Sequence, residues 1–219
     1  MISLTVSDKI YSVCPDYAFA AIQCEVKNTS FDENLWTEIS ALEAEIRVTY
    51  PIENINKIST ISATRMAYKA LGKDPNRYRP SAEALMRRIV KQMDLYQIDT
   101  LVDLINLVSI KTGYSIGGFD ADKVQGNIAL GVGEAGEVFY GIGRGILNIE
   151  GLPVYRDSMG GIGTPTSDEE RTKISLQTSH LLLIINGYSG RNGLDEAAGW
   201  TVALLRKYAS ATNIEIKIG

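Results

Sequence analysis

A chain of 219 residues, 45% hydrophobic and 22% charged with 20 glycines and 6 prolines, is long enough for one large domain or two small ones, and its composition excludes a disordered or collagenous protein. The formal net charge of -4 excludes a molecule that attracts nucleic acid or anionic lipid as a whole, so a nucleic-acid role must rest on a local patch. Two cysteines, Cys14 and Cys24, and one histidine, His180, cannot make a two-plus-two zinc cluster; with no secretory pattern at the start and no apolar run of membrane length, the expectation is a cytoplasmic protein with no metal, no cofactor and no membrane partner.

In chain order, Ile22, Cys24 and Val26 alternate as in a half-buried strand over residues 18–26, which makes both cysteines small buried or half-buried hydrophobes. Leu35, Ile39, Leu42 and Ile46 recur at helical spacing across 34–47, with Asp32 as the cap. Further helices are expected from about Ile58 to Leu71, closed by Gly72, and from Ser81 to about Gln92 after Pro80. The next should run from Asp99 to Gly113, with Leu101, Leu104, Ile105 and Val108 as its apolar stripe. From Tyr114 to Tyr155 glycines break up short apolar groups, Ile128-Ala129-Leu130, Val138-Phe139-Tyr140 and Ile146-Leu147, as in short strands and tight turns. A buried strand at Leu181–Ile185, a helix over 194–209 and a closing strand at Ile214–Ile218 complete the order, which is that of an α+β fold.

Gly131-Val132-Gly133-Glu134-Ala135-Gly136 matches the dinucleotide pattern G-x-G-x-x-G, but β-like residues follow it where the pattern needs a helix N-terminus, so it is read as a turn between strands. His180, just before an apolar strand, reads as an edge or core histidine. Lys69, Lys73, Arg77, Arg79, Arg87, Arg88 and Lys91, interleaved with Tyr68 and Tyr78, form the one concentrated basic region. It is either an RNA-binding strip or the solvated face of a helix whose Leu85, Ile89 and Met93 point inward. The acidic Asp168-Glu169-Glu170 and the following Arg171-Thr172-Lys173 make either a surface salt-bridge loop or the lip of a site.

The stretch Leu101-Val102-Asp103-Leu104-Ile105-Asn106-Leu107-Val108, followed by Gly113 and by Gly117-Gly118-Phe119-Asp120-Ala121-Asp122 up to Gly126, resembles the B3/B4 module of the phenylalanyl-tRNA synthetase beta chain, where the pattern is V-V-D-x-x-N-x-V and then G-x-x-x-H-A-F-D-x-D-x-x-x-G. Met159-Gly160-Gly161 and Gln177-Thr178 before the Leu181 strand are weaker matches, so the resemblance covers roughly residues 68–219 and leaves 1–67 as an N-terminal extension or first layer of one domain.

The resemblance implies a free-standing relative of an editing and tRNA-binding module, with packed β-sheets flanked by helices, tRNA or aminoacyl-tRNA as partner, and hydrolysis of mischarged tRNA in trans as its activity. It implies Asn106, with Glu169 and Glu170 as counterparts of the module's acid, as catalytic residues. Gly117, Gly118, Phe119, Gly160, Gly161 and Thr178 would bind substrate, and Arg77, Arg79, Arg87, Arg88 and Lys91 RNA. Asn106 is expected to face a cleft shared with the turn at 160–163. Gly117 stands where the module has a histidine, which keeps two other readings open: a non-catalytic RNA-binding module, or a small-molecule-binding protein that reuses the pocket for an amino-acid-like ligand.

Overall fold

The apolar run at 181–185 becomes the middle of the molecule. In a computed structural model that describes all 219 residues, it lies in β9 (His180–Gly187), antiparallel on one side to β2 (Ala18–Glu25) and on the other to β3 (Ile116–Asp120), with β10 (Thr212–Ile218) outside β2. Successive side chains of a strand point to opposite faces. Leu181, Leu183 and Ile185 enter one apolar core and Leu182 and Ile184 another, which is why this strand is hydrophobic without alternation.

The first core lies under helices α2 (Glu33–Thr49), α4 (Ser81–Val90), α5 (Thr100–Thr112) and α6 (Leu194–Ala209). The second lies between this sheet and a sheet of order β1-β4-β7-β8, made of β1 (Leu4–Val6), β4 (Ile128–Val132), β7 (Pro153–Asp157) and β8 (Gly160–Gly163). The layers are therefore helices, sheet and sheet. A polar knot crosses the second core: the Tyr17 and Tyr155 hydroxyls are 2.8 Å apart, and Tyr155 donates at 2.6 Å to Asn186 of β9, whose own amide donates to the Ser115 carbonyl.

The expected helix ends follow from their caps. Asp32 and Asp99 accept from the Leu35 and Val102 amides, each at 2.9 Å, and Gly113 closes α5 with φ 72°. Helix α4 stops at Val90, short of the expected Gln92, because Gln92 turns left-handed (φ 61°) and the Met93 amide folds back onto the Arg88 carbonyl. Met93 is consequently 46% exposed and does not point inward. Three elements have no counterpart in the sequence reading: β1, a three-residue strand held parallel to β4, α1 (Asp8–Val13), and β8, which pairs antiparallel with β7 where residues 160–163 were expected as a turn. Helix α3 (Ser59–Ala70) comes where it was expected.

Val138-Phe139-Tyr140 is not a strand. Phe139 is buried in a small third core, Val138 is exposed, and only Tyr140–Gly141 (β5) pairs with Gly145–Ile146 (β6). Past β4, the run 131–136 enters a turn with no helix after it. Its glycine serves close backbone approach, since a Cβ on Gly133 would lie 1.9 Å from the Ile149 carbonyl oxygen.

Candidate functional site

Helix α5 presents Val102, Ile105, Asn106 and Ser109, spaced as one helical face, to a cavity of about 260 Å³ at the end of the helical layer. Ile116 and Gly118 of β3 form a second wall, and Thr164, Ser167, Asp168 and Ile174 a third. Ile98, Ile142 and Lys173 stand at the rim, and Ser81 at the start of α4 closes the remaining side. The lining thus combines six aliphatic side chains with seven polar or charged ones and a glycine, a mixture that can hold an apolar body and orient its polar groups.

Asp168 is the chemically unusual member. Its Oδ2 accepts from the Gly118 amide at 3.1 Å, and no lysine or arginine pairs with it, since Lys173 is engaged by Glu170. Burial pushes the carboxyl up from 3.8 to about 7, and the single amide bond only partly offsets that. The carboxyl fits where it does because the surrounding backbone has no side chains: a Cβ on Gly163 would stand 2.7 Å from Asp168 Oδ1, and one on Gly117 3.6 Å from it. Asn106 is half-buried in the wall, with no intramolecular hydrogen bond to hold its amide.

Of the residues singled out by sequence, the structure brings together Asn106 and Gly118. The alternation of β3 sends Gly117 and Phe119 to its other face, where the wholly buried Phe119 ring would be 2.7 Å from a Cβ on either Gly117 or Gly163. Gly160 and Gly161 lie in strand β8, with Gly161 against Phe139, so Asn106 shares its cavity with Thr164 and not with residues 160–163. Thr178 is buried away from the cavity, and its hydroxyl donates to Asp120 at 3.0 Å.

Glu169 and Glu170 also lie outside the lining. Glu169 caps a 3-10 turn by accepting from the Arg171 amide at 2.7 Å, and Glu170 faces solvent with Lys173 and the Gly143 amide. The acid in the cavity is Asp168, one residue earlier. Sequence placed an acidic triplet here but could not tell which member turns inward.

Three of the seven cations of the basic strip, Lys73, Arg87 and Arg88, are engaged by the fold. Glu83 is completely buried and accepts Arg65 on one oxygen and Arg87 on the other, both at 2.8 Å. Lys73 is buried and donates to the Asn148 and Glu150 carbonyls at 2.9 and 2.6 Å. Arg88 donates to the Asp94 carbonyl at 2.7 Å and lies over the Tyr96 ring at 4.0 Å. Arg77, Arg79 and Lys91 are exposed. Of the 168–173 cluster, Asp168 forms the lip of the cavity while Arg171 grips both oxygens of Asp157 at 2.8 and 2.9 Å, so each expected reading holds for part of it. His180 is exposed at a strand end, and its Nδ1 lies 2.8 Å from Asp122, which raises its pKa. No helix is long and apolar enough to cross a membrane.

The arrangement agrees with known proteins at two levels. No curated protein matches the chain. Among solved structures, it is similar to an N-terminal fragment of the phenylalanyl-tRNA synthetase beta-subunit from Pyrococcus horikoshii, with a TM-score of 0.50 and 16% identity over 97% of this chain and 50% of that one. The chain therefore spans about half the length of that structure, and the likeness is one of fold. The model of the B3/4 domain matches residues 63–198, a segment that runs from α3 through the whole cavity wall into α6, and the chain belongs to the B3/4 domain family.

Proposed function

We propose that the Asp168 cavity binds an aminoacyl group and that the protein hydrolyses aminoacyl esters, with mischarged tRNA as substrate in trans. The observation that carries this reading is a carboxyl without a cation, pushed up to about 7, that lines the same cavity as the unbonded Asn106 amide and six aliphatic side chains. An aminoacyl ester is already activated, so hydrolysis needs a placed water and donors for the developing oxyanion more than a strong base. Ionised Asp168 takes a proton from the water as its oxygen bonds to the ester carbon. Asn106 donates its amide N–H to the carbonyl oxygen as negative charge grows there, and the carbon–oxygen bond to the ribose then breaks, with the proton passing from Asp168 to the leaving oxygen. The aliphatic residues of α5 and β3 hold the amino-acid side chain.

The test is deacylation of a panel of mischarged tRNAs at pH 8 and pH 6. A rate that rises with pH through about 7, and that falls by about two decades or more in Asp168→Asn, supports the reading. Wild-type inactivity on the whole panel removes it.

The commitment of Arg87 and Lys73 to internal contacts favours a second reading, a cavity for a free amino-acid-like molecule without RNA. Calorimetric binding of a free amino acid by a wild type that leaves every mischarged tRNA intact would select it.

A further inference from the structure

Strand β10 is the outer strand of the β10-β2-β9-β3 sheet, and no strand pairs with its far edge. Glu215, Ile216 and Lys217 are exposed along it, and Ile216 is 48% exposed although Ile22, opposite it on β2, is fully buried. The phase of the backbone is fixed by Phe19 and Gly219, which exchange both hydrogen bonds, at 2.8 and 3.1 Å. Hydrogen-bonded pairs alternate in an antiparallel ladder, so Lys217 with Ala21 and Glu215 with Gln23 also face each other's amides, and the N–H and C=O groups of Ile216 and Ile218 point outward. An open edge of this kind is a template for another strand.

We propose that β10 pairs antiparallel with β10 of a second copy of this chain about a two-fold axis through Ile216. In that register Ile216 meets its own copy as a hydrogen-bonded pair, and Ile214 and Ile218 meet each other on the face that already packs against the helical core. On the opposite face Glu215 of each copy meets Lys217 of the other, twice. The charges select this register. An axis through Glu215 would set carboxylate against carboxylate, and one through Lys217 ammonium against ammonium. An axis between residues would oppose outward-facing backbone groups to groups already bonded to β2. The carboxylate of Glu215 lies 3.1 Å from the Met1 amino group, yet its side chain is 60% exposed and can reach a neighbour.

Sedimentation equilibrium of the full chain at low salt, from about 1 to 200 µM, tests the interface; a strand pair of this size predicts a dimer in the micromolar range. Glu215→Lys and Lys217→Glu should each weaken dimerisation about tenfold or more, and the two together should restore it. Ile216→Cys should oxidise to a covalent dimer linked at 216, because Cα atoms of a hydrogen-bonded antiparallel pair lie about 5.5 Å apart, within disulfide reach; wild type, with Cys14 and Cys24, is the control. Circular dichroism checks that each variant folds. A wild type that stays monomeric at 200 µM overturns the proposal. So does a dimer indifferent to the single reversals, or a folded double reversal that fails to recover.

Discussion

Two acidic side chains, Glu83 in the first turn of α4 and Asp168 in the loop after β8, have surroundings that differ completely. Glu83 is held between Arg65 and Arg87, each of its oxygens taken by a guanidinium. Asp168 has one amide N–H and no cation. Burying a charge is costly unless it is paired, so the first arrangement is a structural joint that locks α4 onto α3, while the second leaves a proton loosely held at the edge of a cavity. The same comparison divides the basic strip: Lys73 and Arg87 are engaged inside the fold, whereas Lys69, Arg77, Arg79 and Lys91 are exposed.

Breaking the joint should have the largest effect. Glu83→Gln strips the charge from a fully buried partner of two arginines, and a loss of about 3–5 kcal/mol is expected in urea unfolding. A loss under about 1 kcal/mol would mean that the Glu83 joint is solvated and that the contrast with Asp168 is false.

Asp168→Asn should act in the opposite direction. The folded protein holds a proton on Asp168 up to about pH 7, whereas the unfolded chain releases it near 3.8, so between these values the folded state binds more protons and stability falls as pH rises. The asparagine variant lacks that slope. It should equal wild type near pH 4 and exceed it by roughly 1–3 kcal/mol at pH 8, allowing for the carboxyl's opening into the cavity. Urea midpoints at the two pH values measure this, and a variant less stable than wild type at pH 8 would show that ionised Asp168 holds the wall together.

Legibility in the sequence followed how local the determinants are. The strand β9, the caps Asp32 and Asp99 and the stop at Gly113 rest on residues a few positions apart, and all are where the pattern puts them. Asn106 and Gly118 reach the cavity because helix and strand periods fix which side chains share a face. Asp168 was missed in favour of its neighbours because its direction is set not only by the nearby Gly163 but by Gly117 and Gly118, some fifty residues away in the chain. Strand β1 was missed for a similar reason: three residues carry no period, and the strand exists only because β4 offers an edge.

The smallest expected effect concerns the exposed cations. Arg77, Arg79 and Lys91 are exposed, whereas Arg87 is half-buried on Glu83. Changing all three to glutamine should therefore leave stability within about 0.5 kcal/mol, while Arg87→Gln alone should cost more because it uncovers one oxygen of a buried carboxylate. The triple variant also bears on the partner. Each phosphate neutralised by a cation releases condensed counterions, so if these three side chains touch tRNA, the slope of log affinity against log salt should become shallower by about two to three, without a change in the pH at which deacylation rises. Filter binding at a series of salt concentrations gives that slope. An unchanged slope would move any RNA contact away from these three side chains.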